Sequence, residues 1–403
     1  MKKKILGIIG LIFFSSLAVY GATKDYFGAF AEGISLKYDH QEPLSIIKLE
    51  ENKILILGHS RPNYTENILK HYKFSNSSNF KNKFLKNYQN TPSEIYHTQT
   101  DTFSEISLNS FYYEPEGMAL DKNRILLTMV CNTDKENQEA VNDCYKNMQM
   151  AIYNTETNKY SFIENKIKRK NMFMDVIAED KILIIGGFPV SGFGYSSIPA
   201  NLINSDKSIK FKDQILEYDL KNNSIKEINL IPQNFRLSSE NIIKMHNNIY
   251  VFLYENSIYK LDLNKNKLNK LITINSSNKV SSLSQISKEK FAFINENKVH
   301  IYNICSEKVE KEIKLLLKRQ HPIITPVKDN FLLITGGEEY CFPSNLCLAA
   351  GTEFIDLDRN EIKKGPNIGG HFVKGINTHE NIIFFGVHSF RNSKMTVIFK
   401  VYE

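Results

Sequence analysis

One pattern of fourteen residues recurs six times along the 403-residue chain in a fixed frame. It reads "SEIYHTQTDTFSEI" from Ser93, "MAIYNTETNKYSFI" from Met150 and "ILEYDLKNNSIKEI" from Ile215. It returns as "IYKLDLNKNKLNKL" from Ile258, "VHIYNICSEKVEKE" from Val299 and "TEFIDLDRNEIKKG" from Thr352. Its fourth position is Tyr96, Tyr153, Tyr218, Leu261, Tyr302 or Ile355, each followed at once by His, Asn or Asp. Seven residues further on stands an apolar residue: Phe103, Tyr160, Ile225, Leu268, Val309 or Ile362. An alternating run, a polar turn and a second alternating run make a β-hairpin in which the two marked positions face each other across the strands. The Asx residue at the turn accepts hydrogen bonds from the backbone ahead of it and fixes the reversal. Six copies in one frame make a repeat protein, whose units stack because none can bury its apolar face alone.

Each hairpin follows another pair of strands. The second of that pair is strongly apolar: "KILILGHS" at Lys53, "RILLTMVC" at Arg124, "KILIIGGF" at Lys181, "IYVFLYEN" at Ile249, "KFAFINEN" at Lys290, "FLLITGGE" at Phe331 and "IIFFGVHS" at Ile382. Glycines at its end permit a tight turn or a close backbone approach where a side chain would clash. Four antiparallel strands per repeat, spaced 41 to 65 residues apart, is the spacing of β-propeller blades. The glycine-bearing strand and the aromatic hairpin resemble the kelch (galactose-oxidase-like) β-propellers from about Leu44 to the C-terminus. The double glycine is intact at Gly186–Gly187 and Gly336–Gly337, and the chain has no tryptophan, Phe103 and Tyr160 standing in the place of the family's. The expected fold is therefore an all-β propeller forming a single domain over residues 26–403. Seven repeats run about 43–107, 110–166, 169–230, 235–275, 279–316, 318–366 and 368–403. The last lacks a fourth strand, which the segment "AEGISLKYD", near Ile34 to Tyr38, is expected to supply, so that the N-terminus closes the ring and hides its strand edges. A six-bladed ring with one degenerate repeat is the competing arrangement.

The N-terminus, "MKKKILGIIGLIFFSSLAVYGATKDY", has a basic start, an apolar run and small residues suited to cleavage after Ala18, Gly21 or Ala22. Residues 1–22 are read as a signal peptide or an uncleaved membrane anchor, so the protein is expected to be exported: periplasmic, secreted or tethered. Membrane contact is expected through that segment alone. The formal charge is +7, of which Lys2, Lys3 and Lys4 carry three, leaving +4 dispersed over the rest. No basic block argues for a nucleic-acid partner. The cysteines suit an oxidising compartment: Cys131 and Cys144 bracket one loop and Cys341 and Cys347 another, and each pair is placed to close its loop by a disulfide. Cys305 is left over and is expected to be a small packed residue. The cysteine spacings do not form a zinc site, and neither a metal nor a cofactor is expected.

Extra residues fall between the apolar strand and the hairpin of four repeats: roughly His59–Pro92, Cys131–Asn147, Phe188–Gln214 and Glu338–Ala350. The fourth and fifth repeats have only the tight turns "YENS" and "NENK" there. In a propeller this connection emerges on one face in every blade, and loops on a rigid scaffold are where binding is placed. The candidate binding residues are His59, Arg61, Phe188, Phe193, Tyr195, Glu338, Glu339 and His388. Phe188, Phe193 and Tyr195, set among small residues, suit a sugar or a protein surface. His59 and His388 follow equivalent strands and become neighbours if the ring closes. Glu338 and Glu339 suit a cationic or hydroxylated ligand. No catalytic residue is assigned, because the chain has no Gly-x-Ser-x-Gly elbow, phosphate loop or His-Glu metal motif. The resemblance admits sialic acid epimerases and copper-dependent sugar oxidases as relatives, yet no residue set here matches either activity. The reading is a monomeric binding module for a protein or glycan of the envelope or surroundings, with a carbohydrate-active enzyme as the alternative.

Overall fold

The computed structural model describes residues 30–34, 45–57, 93–106, 111–131, 149–163, 167, 169–189, 215–232, 235, 237–274, 281–319, 321–327, 330–341, 345–348, 351–365, 371–378, 381–390 and 393–402. Among the described residues, seven four-stranded antiparallel sheets form, the blades of an all-β propeller. They fall into two compact units.

The larger unit holds four sheets. The first is β2 (Ile46–Glu50), β3 (Lys53–Ile56), β4 (Ser93–His97) and β5 (Thr102–Ile106); β1 belongs to the other unit. The second is β6 (Phe111–Ala119), β7 (Arg124–Cys131), β8 (Gln149–Asn154) and β9 (Lys159–Ile163). The short strand β10 (Arg169–Lys170) precedes the third sheet, which contains β11 (Phe173–Ala178), β12 (Lys181–Ile185), β14 (Ile215–Asp219) and β15 (Ser224–Glu227); β13 (Phe188–Pro189) pairs with β10. The fourth is β16 (Ile242–Lys244), β17 (Ile249–Tyr254), β18 (Ser257–Asp262) and β19 (Lys267–Thr273).

The other unit holds three sheets. One is β20 (Ser281–Gln285), β21 (Lys290–Asn295), β22 (Lys298–Asn303) and β23 (Lys308–Lys314). The next is β24 (Ile323–Val327), β25 (Phe331–Thr335), β28 (Thr352–Asp356) and β29 (Glu361–Gly365), interrupted by the hairpin β26 (Glu338–Cys341) and β27 (Asn345–Leu348). The last runs β30 (His371–Asn377), β31 (Asn381–Phe390), β32 (Ser393–Tyr402) and then β1 (Phe30–Ile34). The N-terminal strand thus completes this sheet, in the register Phe30↔Tyr402 to Ile34↔Ile398. Ala31–Ile34 open the expected segment "AEGISLKYD", so the closing strand is the start of that segment, ahead of Ile34–Tyr38.

The apolar runs follow from burial on both faces. In β12, Leu183 and Ile185 pack with Tyr250, Phe252 and Leu261 of the fourth sheet, while Ile182 and Ile184 pack with Leu126 and Met150 of the second. A strand covered on both sides has no polar face, and "KILII" has no polar residue after Lys181. Each such Leu or Ile contributes about 1.5–3 kcal/mol relative to an exposed one. The same layering joins Ile47 and Leu55 to Ile125, Leu127 and Tyr153, and Ala292, Ile294 and Ile301 to Leu332, Ile334 and Ile355.

The six hairpins close as their spacing requires. Tyr96↔Phe103, Tyr153↔Tyr160, Tyr218↔Ile225, Leu261↔Leu268, Tyr302↔Val309 and Ile355↔Ile362 are direct cross-strand pairs. The Asx residue after the marked position accepts turn N–H groups: Asn154 from Glu156 and Thr157, Asn303 from Cys305 and Ser306, Asp356 from Asp358 and Arg359. Four residues further on, Asp101, Asn158, Asn223, Asn266, Glu307 and Asn360 all take a left-handed backbone, with φ between 47° and 55°. Asn and Asp tolerate that conformation best, and they hold five of the six places. In three hairpins the tyrosine hydroxyl also donates to the side-chain oxygen of this residue: Tyr96 to Asp101 (2.5 Å), Tyr153 to Asn158 (2.6 Å) and Tyr218 to Asn223.

Candidate binding face

The connection from the second to the third strand of each sheet leaves from the same end of the sheet. In the larger unit it spans residues 57–92, 132–148 and 186–214, against the two-residue turn Glu255–Asn256 of the fourth sheet. In the other unit it spans 336–351, against Glu296–Asn297 and the pair 391–392. The last sheet thus carries long strands, ten residues each in β31 and β32, where four of the others carry an insertion.

Two of these exits are built from the double glycines. Gly186 and Gly187 have φ of 70° and 89°, Gly336 and Gly337 of 64° and 87°. A Cβ on Gly186 would lie 2.4 Å from the carbonyl oxygen of Leu237, in the segment leading to the fourth sheet, and the Gly187 N–H donates to that same oxygen at 2.9 Å. Glycine is needed there both for the left-handed turn and for the close approach.

An arginine seventeen residues upstream holds each first glycine. Arg169 donates from Nη1 to the Gly186 carbonyl at 3.2 Å, and Arg319 from Nη1 to the Gly336 carbonyl at 3.1 Å. Arg319 also donates to the Gly351 carbonyl at 2.7 Å and, from Nη2, to Oε2 of Glu353 at 3.1 Å, with both side chains fully buried. The second oxygen of Glu353 accepts the N–H groups of Leu316 and Leu317. Burial pushes the Glu353 carboxyl above the ordinary glutamate range, against the opposing pull of Arg319 and those two N–H groups. A buried pair of this kind persists only with further hydrogen bonds, here the two N–H groups on Glu353 and the two glycine carbonyls on Arg319.

Other perturbed groups are committed to the frame. Tyr250 donates to Asp175 at 2.7 Å, Lys244 pairs with the same carboxylate, and burial with that hydrogen bond holds the phenol far above its usual value. Arg124 spans Asp121 and Asp180, joining the second and third sheets. His300, stacked on Phe293 at 4.8 Å, is held below the usual histidine value by burial. Tyr302 has a buried hydroxyl without a hydrogen-bond partner, and burial pushes it up to about 12.

Of the residues singled out in the sequence, Phe188 lies in β13, where Lys170↔Phe188 and Arg169↔Pro189 pair across the base of the third sheet's insertion. Glu338 and Glu339 lie in β26, paired with Leu348 and Cys347, and His388 lies in β31 opposite Met395. The side chains of these four, and all of His59, Arg61, Phe193 and Tyr195, lie outside the described residues. Cys341 and Cys347 fall in the same hairpin, Cys341 opposite Asn345 and two register steps from Cys347. Cys131 ends β7, and Cys144 lies outside the described residues. Cys305 corrects the expectation of a packed residue: it is a free, exposed thiol in the β22–β23 turn, where its N–H is spent on Asn303. The alternation that suggested packing breaks at the turn, two residues after Asn303. Sequence reasoning missed Arg169, Arg319 and Glu353. The signal was present as the paired "KR" of "IKRKN" and "LKRQH", each the same distance ahead of a double glycine. Among the described residues, no group of three or more His, Cys, Asp or Glu could hold a metal ion, and no helix is long and apolar enough to cross a membrane.

No family model matches the chain, and no curated protein matches it. Among solved structures, a streptogramin B lyase shares the fold with a TM-score of 0.54 over 94% of this chain and 98% of its own, at 13% identity. That similarity is one of fold.

Proposed function

We propose that this chain is an exported, kelch-like β-propeller that acts as a monomeric binding module for a protein or glycan of the cell envelope or its surroundings. The propeller fold is suited to an interaction module, and one observation carries the reading: long insertions occupy the same connection in four sheets, while the same connection elsewhere is two residues long. Insertions cost little in closure entropy but are kept at one end of each sheet, the placement expected of a recognition surface. The basic and apolar N-terminal segment supports export, and the glycine-bearing strands and hairpins support the kelch-like assignment.

The test is in-cell crosslinking and mass spectrometry of the full chain beside a variant in which residues 190–212 are replaced by a short turn, leaving β13 and β14 in place. A discrete partner crosslinked to the wild type and lost in the variant is the expected result. A partner retained at full yield by the variant, or none enriched with the wild type, rejects the protein-binding form. A second reading, a carbohydrate-active enzyme such as a sialic acid epimerase or a sugar oxidase using the same face, rests on the kelch-like resemblance of the repeats. Turnover of sugars by the purified protein, absent in the shortened variant, is the result that would favour it.

A further inference from the structure

We propose that Arg319 is the positioning residue of the β26–β27 hairpin, fixing from beneath how that hairpin stands on the binding face. The inference rests on the binding-module reading for its biological meaning, though not for its structural test. The hairpin is an excursion of the chain that leaves the sheet after Gly336 and returns at Gly351. One guanidinium nitrogen bonds to the carbonyls at both of those points, at 3.1 and 2.7 Å, and a second nitrogen bonds to Glu353 at the start of β28. The two feet of the excursion are therefore tied to one rigid, planar group whose charge is met by a carboxylate that is itself held by two backbone N–H groups.

Arg169 repeats the arrangement in simpler form at the foot of the 186–214 insertion. In the fourth and fifth sheets, where the connection is a two-residue turn, neither the double glycine nor the arginine occurs at this place. The first and second sheets carry insertions without either feature, so the arginine accompanies the two insertions that leave through a double glycine, and the blade as such forms without it. Lysine at position 319 would keep a positive charge beside Glu353, yet a single ammonium cannot hold the planar fork that reaches both carbonyls and the carboxylate.

The test is amide hydrogen exchange on the full chain, wild type against Arg319→Lys, comparing residues 338–348 with strands β24 and β25 of the same sheet. The expected result is exchange at least tenfold faster in the hairpin, with β24 and β25 within twofold of wild type. If Arg319→Lys fails to fold, the double variant Arg319→Met/Glu353→Leu decides, because it replaces the buried pair by apolar groups of similar size and removes the ties to both glycine carbonyls. Unchanged hairpin exchange in a folded variant overturns the proposal, as does an equal acceleration in the hairpin and in β24–β25. Crosslinking of the folded variant reports separately on the binding reading: a loosened hairpin with full partner capture leaves the lock standing and removes this hairpin from the recognition surface.

Discussion

Replacing the four hairpin tyrosines one at a time by phenylalanine separates the hydroxyl from the ring. Each substitution keeps the buried ring and its cross-strand partner and deletes one oxygen. Tyr96 donates to a carboxylate, Asp101, at 2.5 Å, and a hydrogen bond to a charged group is worth about 1.5–3 kcal/mol. Tyr153 and Tyr218 donate to the amide oxygens of Asn158 and Asn223, worth about 1 kcal/mol each. Tyr302 differs: the residue five positions on is Glu307, and its own hydroxyl is buried without a partner. Deleting that oxygen relieves a desolvation penalty of roughly 1 kcal/mol or more. The expected order of stability loss is Y96F, then Y153F and Y218F together, with Y302F neutral or stabilising. Urea unfolding followed by circular dichroism and tyrosine fluorescence, in a chain with 20 tyrosines and no tryptophan, reads these differences as shifts in midpoint. With a slope of about 3 kcal/mol per molar, 1 kcal/mol moves the midpoint by about 0.3 M. If Y302F costs as much as Y153F and Y218F, the hydroxyls are not what these positions contribute, and the argument from the Asx partner fails.

Three further outcomes follow from the same geometry. Glu307→Asn places at a φ of 52° a residue that tolerates it better and puts an acceptor where the other hairpins have one, so a gain of about 1 kcal/mol is expected, and none in a Y302F background beyond the backbone share. Gly186→Ala meets the Leu237 carbonyl at 2.4 Å in a left-handed conformation, for a loss of roughly 2–4 kcal/mol; because the obstruction is backbone, Leu237→Ala must not rescue it, which a double-mutant cycle measures. The Glu353 carboxyl is held above its ordinary value of 4.5, so the folded state binds that proton more tightly than the unfolded chain does. Its stabilising contribution is present below about 4.5 and lost as pH rises through the folded value, and Glu353→Gln is expected to flatten that part of the stability profile while lowering stability overall.

The hairpins were legible because their chemistry is local. Tyr218, Asp219 and Asn223 lie within six residues, and ring partner, turn acceptor and left-handed position each have their own residue preference. The number of strands per repeat was legible for the same reason; the N-terminal closure was legible from the missing fourth strand of the last repeat, and only pairing with Ile398–Tyr402 selects the start of "AEGISLKYD" for β1. What stayed hidden is non-local. Nothing beside Gly186 says that Leu237 will lie over it, and nothing beside Arg319 says that a glutamate 34 residues later will bury its charge. The candidate site is legible as a set of insertions; His388 apart, the side chains proposed to meet a ligand lie in those insertions, whose aromatic and acidic residues have no repeat frame to place them.

The pairing of β1 with β32 has a consequence for how the chain is made. Ile34 finds its partner at Ile398, so β1 leaves the ribosome long before the strand it pairs with. At synthesis rates of about 5–20 residues per second, that delay is on the order of 20–70 seconds. Throughout it β1 has no partner, and once β32 emerges both strands stay open to pairing elsewhere until they meet. Two chains emerging side by side could exchange these strands, and crowding of nascent chains would then determine how much protein is trapped as linked rings, a yield problem that dilution during refolding would relieve and a point mutation in the blades would not.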